Sequence, residues 1–224
     1  MKPSLPFLLS FNAGYVDTAG FLALQGLFTA HVTGNFVTFG ASMVLGTSGA
    51  AAKLLALPVF CAVIFATRIF SFALPRAGLP ILRTMLALKF ALLVLGAALA
   101  IRFGPFPRGD GWAAILTGMV LVSAMAIQNA AHRIHMGTLP PSTLMTGSTT
   151  QITIDLADLA RGVAGEARAS AQARLGRLSL SVLAFALGCA SGALLYAGLK
   201  TWCFVMPPLV ALPALFFIRS ETVP

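Results

Sequence analysis

Six stretches of this chain run for roughly the twenty apolar residues that a helix needs to cross a bilayer, and nothing else in the sequence limits the fold as much. Eight apolar segments can be marked in all, at 5–30, 32–46, 54–74, 81–101, 112–131, 143–160, 178–199 and 202–218. The second and sixth fall short as spans. Segment 32–46 reaches only ~22 Å as a helix, against a hydrocarbon core of about 30 Å. Segment 143–160 is rich in hydroxyls and acids. Charged residues make up 9% of the 224, where a soluble domain carries about a quarter. There is too little polar surface to cover a soluble fold of this length. The sequence therefore predicts an all-α integral membrane protein.

The order long, short, long, long occurs twice, which predicts an internal duplication. The first repeat covers 1–104 and the second 112–224, joined by the Pro/Gly-rich hinge 105–111. If the short segments span, the chain crosses eight times and the repeats are parallel. If they dip in and return, it crosses six times and the repeats are inverted. Lys and Arg in the loops favour neither version. With the N-terminus inside and Arg68 and Lys89 set aside, both place nine basic residues inside and four outside. Length favours six full transmembrane helices plus two short or broken ones, in two pseudo-symmetric repeats. The polar segment 161–177 suits a surface helix at the cytoplasmic headgroups rather than a lipid-sensing element. The N-terminal run lacks a small-residue cleavage site and reads as a retained span, not a signal peptide.

Each short segment carries a Thr-Gly pair, in HVTGNFVTFG (31–40) and LMTGSTTQIT (144–153). Aligning Thr33-Gly34-Asn35 with Thr146-Gly147-Ser148 brings GYVDTAGF (14–21) onto AIQNAAHR (126–133) after a one-residue slip. Asp17 then stands opposite Asn129, with Gln128 beside it. A glycine ahead of a half-helix lets the backbone turn and leaves N–H groups free for an anion or a polarised ligand atom. Thr33 and Thr146 are suited to N-cap such helices. The plainer reading is that Thr and Gly permit close helix packing. Asp17 is the only acid among the first 109 residues and lies within an apolar run. Such an acid marks a site unless it sits at an interface or pairs with Arg68 or Lys89. Asn12, Tyr15 and Thr18 surround it, and Gly14 and Gly20 allow a break or close packing.

The second half adds Gln128, Asn129, Ser148, Thr149, Thr150, Gln151 and Asp155, groups that suit a small polar solute or a partly dehydrated ion. Asp155 and Asp158 share a helical face, as a magnesium-diphosphate site would require. No second acidic motif accompanies them, so they read better as helix-end carboxylates near Arg161. His132 and His135 have the spacing to share a metal, but Arg133 and Gly137 suggest an interfacial turn. No metal site and no cofactor is expected. Hydrolase and ATPase motifs are missing, which predicts a protein that is not an enzyme. Gly188 and Gly192 make a GxxxG packing face. Cys61, Cys189 and Cys203 form no CxxC and no even set. The net charge of +9 comes from residues in short connections, with no basic stripe of the kind that binds nucleic acid.

AGYVDTAGFLALQGLFTAHVTGNFVTFGAS (13–42) together with MTGSTTQITIDLADL (145–159) resembles the YoaK-type bacterial integral membrane proteins, a domain-of-unknown-function family. The resemblance extends over nearly the whole chain. It implies a multi-pass inner-membrane protein of about six spans, and it supplies no substrate or reaction. The family pattern carries over to Asp17, Thr33, Gly34, Asn35, Thr146 and Gly147, with Ser148 standing where the first motif has Asn35.

The sequence thus leads to an expected secondary transporter or channel-like permease for a small polar solute or ion. Its site would lie between the repeats at the Thr-Gly half-helices, with Asp17 as the proton- or cation-linked carboxylate. Asn12, Thr18, Asn35, Gln128, Asn129, Ser148 and Asp155 would complete it. The alternative is a non-transporting membrane scaffold or sensor subunit. A protomer this small encloses little space, which is compatible with a homodimer.

Overall fold

The computed structural model describes residues 5–217. Among them the chain is helical throughout, with no strand. The α-helices are α1 (Leu5–Ala23), α2 (Gly34–Leu45), α3 (Ala50–Ala73), α4 (Ile81–Phe103), α5 (Trp112–His135), α6 (Met145–Ala160), α7 (Gly165–Leu199) and α8 (Met206–Phe217). A 3-10 turn, Lys200–Val205, joins the last two. Helices α3, α4 and α5, and the run Gly165–Phe216 from α7 into α8, are long and apolar enough to cross a membrane.

Helices α1 and α5 form the interior. α7 packs along α1, α3 and α4 along α5, and α8 against α1 and α4. The α1–α7 seam is made by small residues. A Cβ at Gly188 would collide with the Phe11 carbonyl, and one at Gly14 with that of Phe185. Glycine is thus what lets these two backbones touch, the usual device where lipid removes the hydrophobic drive for association. Gly14 therefore serves close packing and α1 does not break there. Tyr15 is buried and its hydroxyl donates to the Cys203 carbonyl at 2.8 Å.

The first short helix is built inside out: α2 buries only Asn35 and Ser42, while Val37 and Val44 are 76% and 86% exposed. Polar positions inward and apolar ones outward is the opposite of a soluble amphipathic helix, and it suits an apolar surrounding. α6 likewise buries only Ser148 and Asp155, but its exposed positions mix Ile154 and Leu156 with Thr149, Thr150, Thr153 and Asp158. α2 rests on α3 and α6 on α7.

After α1 the chain doubles back. Residues 27–31 return alongside α1 to the depth of Asp17, about two turns below the helix end, and α2 then climbs away. The return into α3 is a tight turn with Gly46 and Gly49 at φ +65° and +96°. That turn meets residues near the end of α1 and the 104–111 loop: Gly49 and Ala51 donate to the Asp110 carboxylate at 2.8 Å, and Gln25 Nε2 donates to the Phe106 carbonyl at 3.0 Å. Both ends of the excursion through α2 are therefore anchored to one end of the bundle or the corner just below it.

Several boundaries differ from the sequence reading. The first apolar run, 5–30, is helical only to Ala23, because the amides of residues 29–31 are taken by Asp17. Segment 161–177 is not a separate surface helix: from Gly165 it is the start of α7, which runs unbroken for 35 residues. α5 continues to His135, so the two histidines belong to its last turn.

Candidate functional site

Both corners that lead into the short helices are held by polar side chains from the preceding long helix. At the first, Asp17 Oδ1 accepts hydrogen bonds from the backbone N–H groups of Thr29 and Ala30, both at 2.7 Å, and of His31 at 3.3 Å. Asn35 completes the corner from α2. Its Oδ1 accepts from the Phe28 N–H at 2.9 Å and its Nδ2 donates to the Phe28 carbonyl at 2.8 Å. Asp17 and Asn35 are 4% and 1% exposed. The three converging amides give this buried carboxyl its hydrogen bonds without a cationic partner.

At the second corner the holding groups are uncharged. Thr143 Oγ1 donates to Asn129 Oδ1 at 2.8 Å, and Gln128 Nε2 donates to Ser142 Oγ at 2.9 Å and to the Leu9 carbonyl at 3.0 Å. In the Thr-Gly register, Thr29 and Ala30 correspond to Ser142 and Thr143. Asp17 and the Gln128–Asn129 pair thus grip matching residues of the two loops.

Behind the second corner lies a buried polar thread. Lys89 of α4 donates from Nζ to Gln128 Oε1. Ser10 and Ser181 share a hydrogen bond of 2.7 Å, and Ser181 Oγ donates to the Pro141 carbonyl at 3.2 Å. Asn12 Nδ2 donates to the Pro207 carbonyl at 3.1 Å, while its Oδ1 is buried without a partner among the described residues. A cavity of about 170 Å³ opens beside Ser142 and Thr143, walled also by Asn129, His132 and Arg133.

The residues singled out in the sequence divide into distinct groups. Asn129 lines the cavity, Gln128 belongs to the thread behind it, and Asn12 bonds the start of α8 instead. Asp17 and Asn35 hold the first corner. Thr18 lies on the α7 side, close to Gly192. Ser148 and Asp155 are buried on α6, with Ser148 Oγ donating to the Leu144 carbonyl at 3.1 Å. Thr33 and Thr146 are exposed, and neither caps a helix. Thr33 stands at the N-cap position of α2 in helical geometry and makes no side-chain cap bond. α6 begins at Met145, so Thr146 and Gly147 are inside it and Gly147 has open space where a Cβ would be. Gly34 does open its helix, with the Phe28 ring 3.1 Å from where its Cβ would lie.

The suggested partners of Asp17 are also corrected: backbone amides, not Arg68 or Lys89, satisfy it. Asp155 is not a helix-end carboxylate. It is fully buried and paired with Arg174, whose Nε donates to Asp155 Oδ2 at 2.9 Å, while Gln151 Nε2 donates to Oδ1 at 2.9 Å. Asp158 remains exposed. Among the described residues no set of three or more His, Cys, Asp or Glu could hold a metal.

Lys89, Ser142 and Arg174 were not singled out. A lysine within the apolar run 81–101 was the available signal for Lys89. Ser142 and Arg174 stand in polar stretches where nothing in the local pattern marks them.

These features define a helical, apolar protein with four helices long and apolar enough to cross a membrane. The chain belongs to the family described as Protein of unknown function (DUF1275), whose profile matches residues 5–218. No curated protein matches the chain, and no solved structure does.

Proposed function

We propose that the protein is a small inner-membrane permease for a small polar solute or ion, not an enzyme. It has six membrane crossings and two re-entrant helices, in two inverted repeats, 1–104 and 112–224, joined by 105–111. The observation that carries the repeat is the match of inward positions. The two buried residues of α2, Asn35 and Ser42, correspond in the Thr-Gly register to the two buried residues of α6, Ser148 and Asp155. Each pair also ties its short helix to the next long one. Lys53 Nζ of α3 donates to Ser42 Oγ at 2.6 Å, and Arg174 of α7 pairs with Asp155. Helix packing follows the same exchange: α7 on α1 matches α3 on α5, and α8 on α1 matches α4 on α5.

The re-entrant reading is supported by the corner at Asp17 and by the meeting of Gln25, Gly49 and Asp110 at one end of the bundle. α2 has 12 residues, or ~18 Å of helix, too little to cross a ~30 Å core. The opposite end carries Arg76, Arg83, Arg133, Arg161 and Arg168, which makes it the cytoplasmic one by the positive-inside rule. The cavity beside Ser142 opens at that end. Asn129, which lines the cavity, contacts the solute, Gln128 and Lys89 stand behind it, and Asp17 and Asn35 fix the first corner.

The test is flux into proteoliposomes containing purified protein, scanned over small ions, carboxylates and amino acids. The reading expects entry above empty vesicles for at least one solute, lost in Gln128→Ala. Vesicles no more permeable than empty ones, with a stoichiometric partner co-purifying, would instead favour a scaffold or sensor subunit.

A further inference from the structure

The interior holds a buried lysine and, among the described residues, supplies it with no acidic partner. Lys89 is 1% exposed, and among the described residues its ammonium has a single hydrogen bond, to the Gln128 carbonyl oxygen. It could donate three. The described acids are engaged elsewhere: Asp17 by three amides, Asp110 by the start of α3, and Asp155 by Arg174. Asp158 and Glu166 are exposed. An ammonium enclosed in apolar surroundings without a counter-charge costs several kcal/mol.

A route to this cation is present. Ser142 lines the 170 Å³ cavity and also accepts the Gln128 amide, so the cavity wall is two hydrogen bonds from Lys89 Nζ. Arg133 and His132 stand in the same wall, and among the described residues neither forms an ion pair. The cavity volume is below the 300–1,000 Å³ typical of sites for drug-sized ligands. Size and sign together select an ion of a few heavy atoms.

We propose that the cavity and the Lys89–Gln128 pair behind it bind a small monovalent anion, with Arg133 and His132 at the mouth and Lys89 as the inner counter-charge. That this anion is also what moves rests on the permease reading; its binding does not.

The experiment is thermal unfolding of the full-length protein in detergent at constant ionic strength, with sodium gluconate replaced stepwise by chloride, nitrate, formate or acetate. Gluconate, the bulkiest of these anions, serves as the reference. Wild type should show a Tm that rises and saturates with at least one of the four. Lys89→Gln should melt at or above wild type in gluconate, because a buried charge has been removed, and should lose the rise. Lys89→Arg should retain it in part. Should Lys89→Gln not fold, the exposed Arg133→Gln reads the mouth, where half-saturation should move to higher anion concentration. The inference is overturned if none of the four anions raises Tm beyond gluconate, or if the rise is unchanged in Lys89→Gln or, failing that variant, in Arg133→Gln. Vesicle flux separates the two readings. Anion-dependent stabilisation without flux leaves the site standing and removes the permease. Flux of an uncharged solute without any anion effect does the reverse.

Discussion

The two Thr-Gly corners have the same outline but are held differently. At the first, a carboxylate takes three backbone amides and Asn35 brackets Phe28, so each polar group placed there has its partner within the corner. At the second, uncharged Gln128 and Asn129 hold Ser142 and Thr143, and the same Gln128 reaches back to a lysine with no acid partner among the described residues. A cavity opens there. A single carboxyl oxygen that takes three buried amides is expensive to remove, whereas single hydrogen bonds between neutral side chains can rearrange at lower cost. On the proposed function, the pair is one fixed corner and one that can exchange partners with a solute.

The largest effect that sharpens this contrast is expected at Asp17. Asp17→Ala leaves three amides without their acceptor, at about 1–3 kcal/mol for each buried unsatisfied group. Loss of folded protein, or a drop in stability of the order of 3 kcal/mol or more, should appear in detergent unfolding. Asp17→Asn keeps an acceptor and should lose less. Asn129→Ala should cost about 1–2 kcal/mol, for two neutral hydrogen bonds, one from Thr143 and one to the Met125 carbonyl of its own helix. Equal losses at Asp17 and Asn129 would break the comparison. Asn35→Ala comes next among the first-corner variants. It removes both bonds to Phe28 and should cost about 2 kcal/mol by the same measurement.

Asp110 gives a smaller effect with a pH signature. Its partial burial raises its pKa, but the backbone N–H groups at the start of α3 outweigh that and hold the carboxyl below the usual range. A depressed folded-state value means its contribution is present above the ordinary carboxylate pKa and is lost as pH falls through the lowered one. Asp110→Asn should therefore cost about 0.3–1 kcal/mol at neutral pH, the range for an exposed anion at a helix N-terminus. The gap from wild type should close as the pH drops below ~4. A gap independent of pH would show that the carboxylate charge contributes nothing. The smallest effect separates the two glycines. Gly147→Ala meets open space inside a helix and should stabilise by up to about 1 kcal/mol. Gly34→Ala meets the Phe28 ring and should not gain.

What the sequence made legible follows from local signals. Long apolar runs announced the helices, and the doubled Thr-Gly with Asp17 opposite Asn129 located both corners. Three things were out of reach. Thr33 and Thr146 look like N-caps in any local reading, yet the helix starts are set by Asp17 and Asn35 at one corner and by a start at Met145 at the other. The partner of Asp155 lies 19 residues away across a turn, so neither its burial nor Arg174 could be read from spacing. Lys89 was visible as a charge in an apolar run. Its meaning depends on the absence of a nearby acid, which is a property of the packing of α1, α4 and α5.

The central claim is that the two halves are inverted, with the first corner entering from one side of the membrane and the second from the other. Single cysteines at Arg108 and Arg161, in a background lacking Cys61, Cys189 and Cys203, test it most directly through labelling of intact cells with an impermeant maleimide. Both positions are exposed. Six crossings with re-entrant α2 and α6 predict Arg108→Cys labelled from outside and Arg161→Cys labelled only after the cells are opened. Protection of both until lysis would place the two loops on the cytoplasmic side, as eight crossings and parallel repeats require, and would contradict the account.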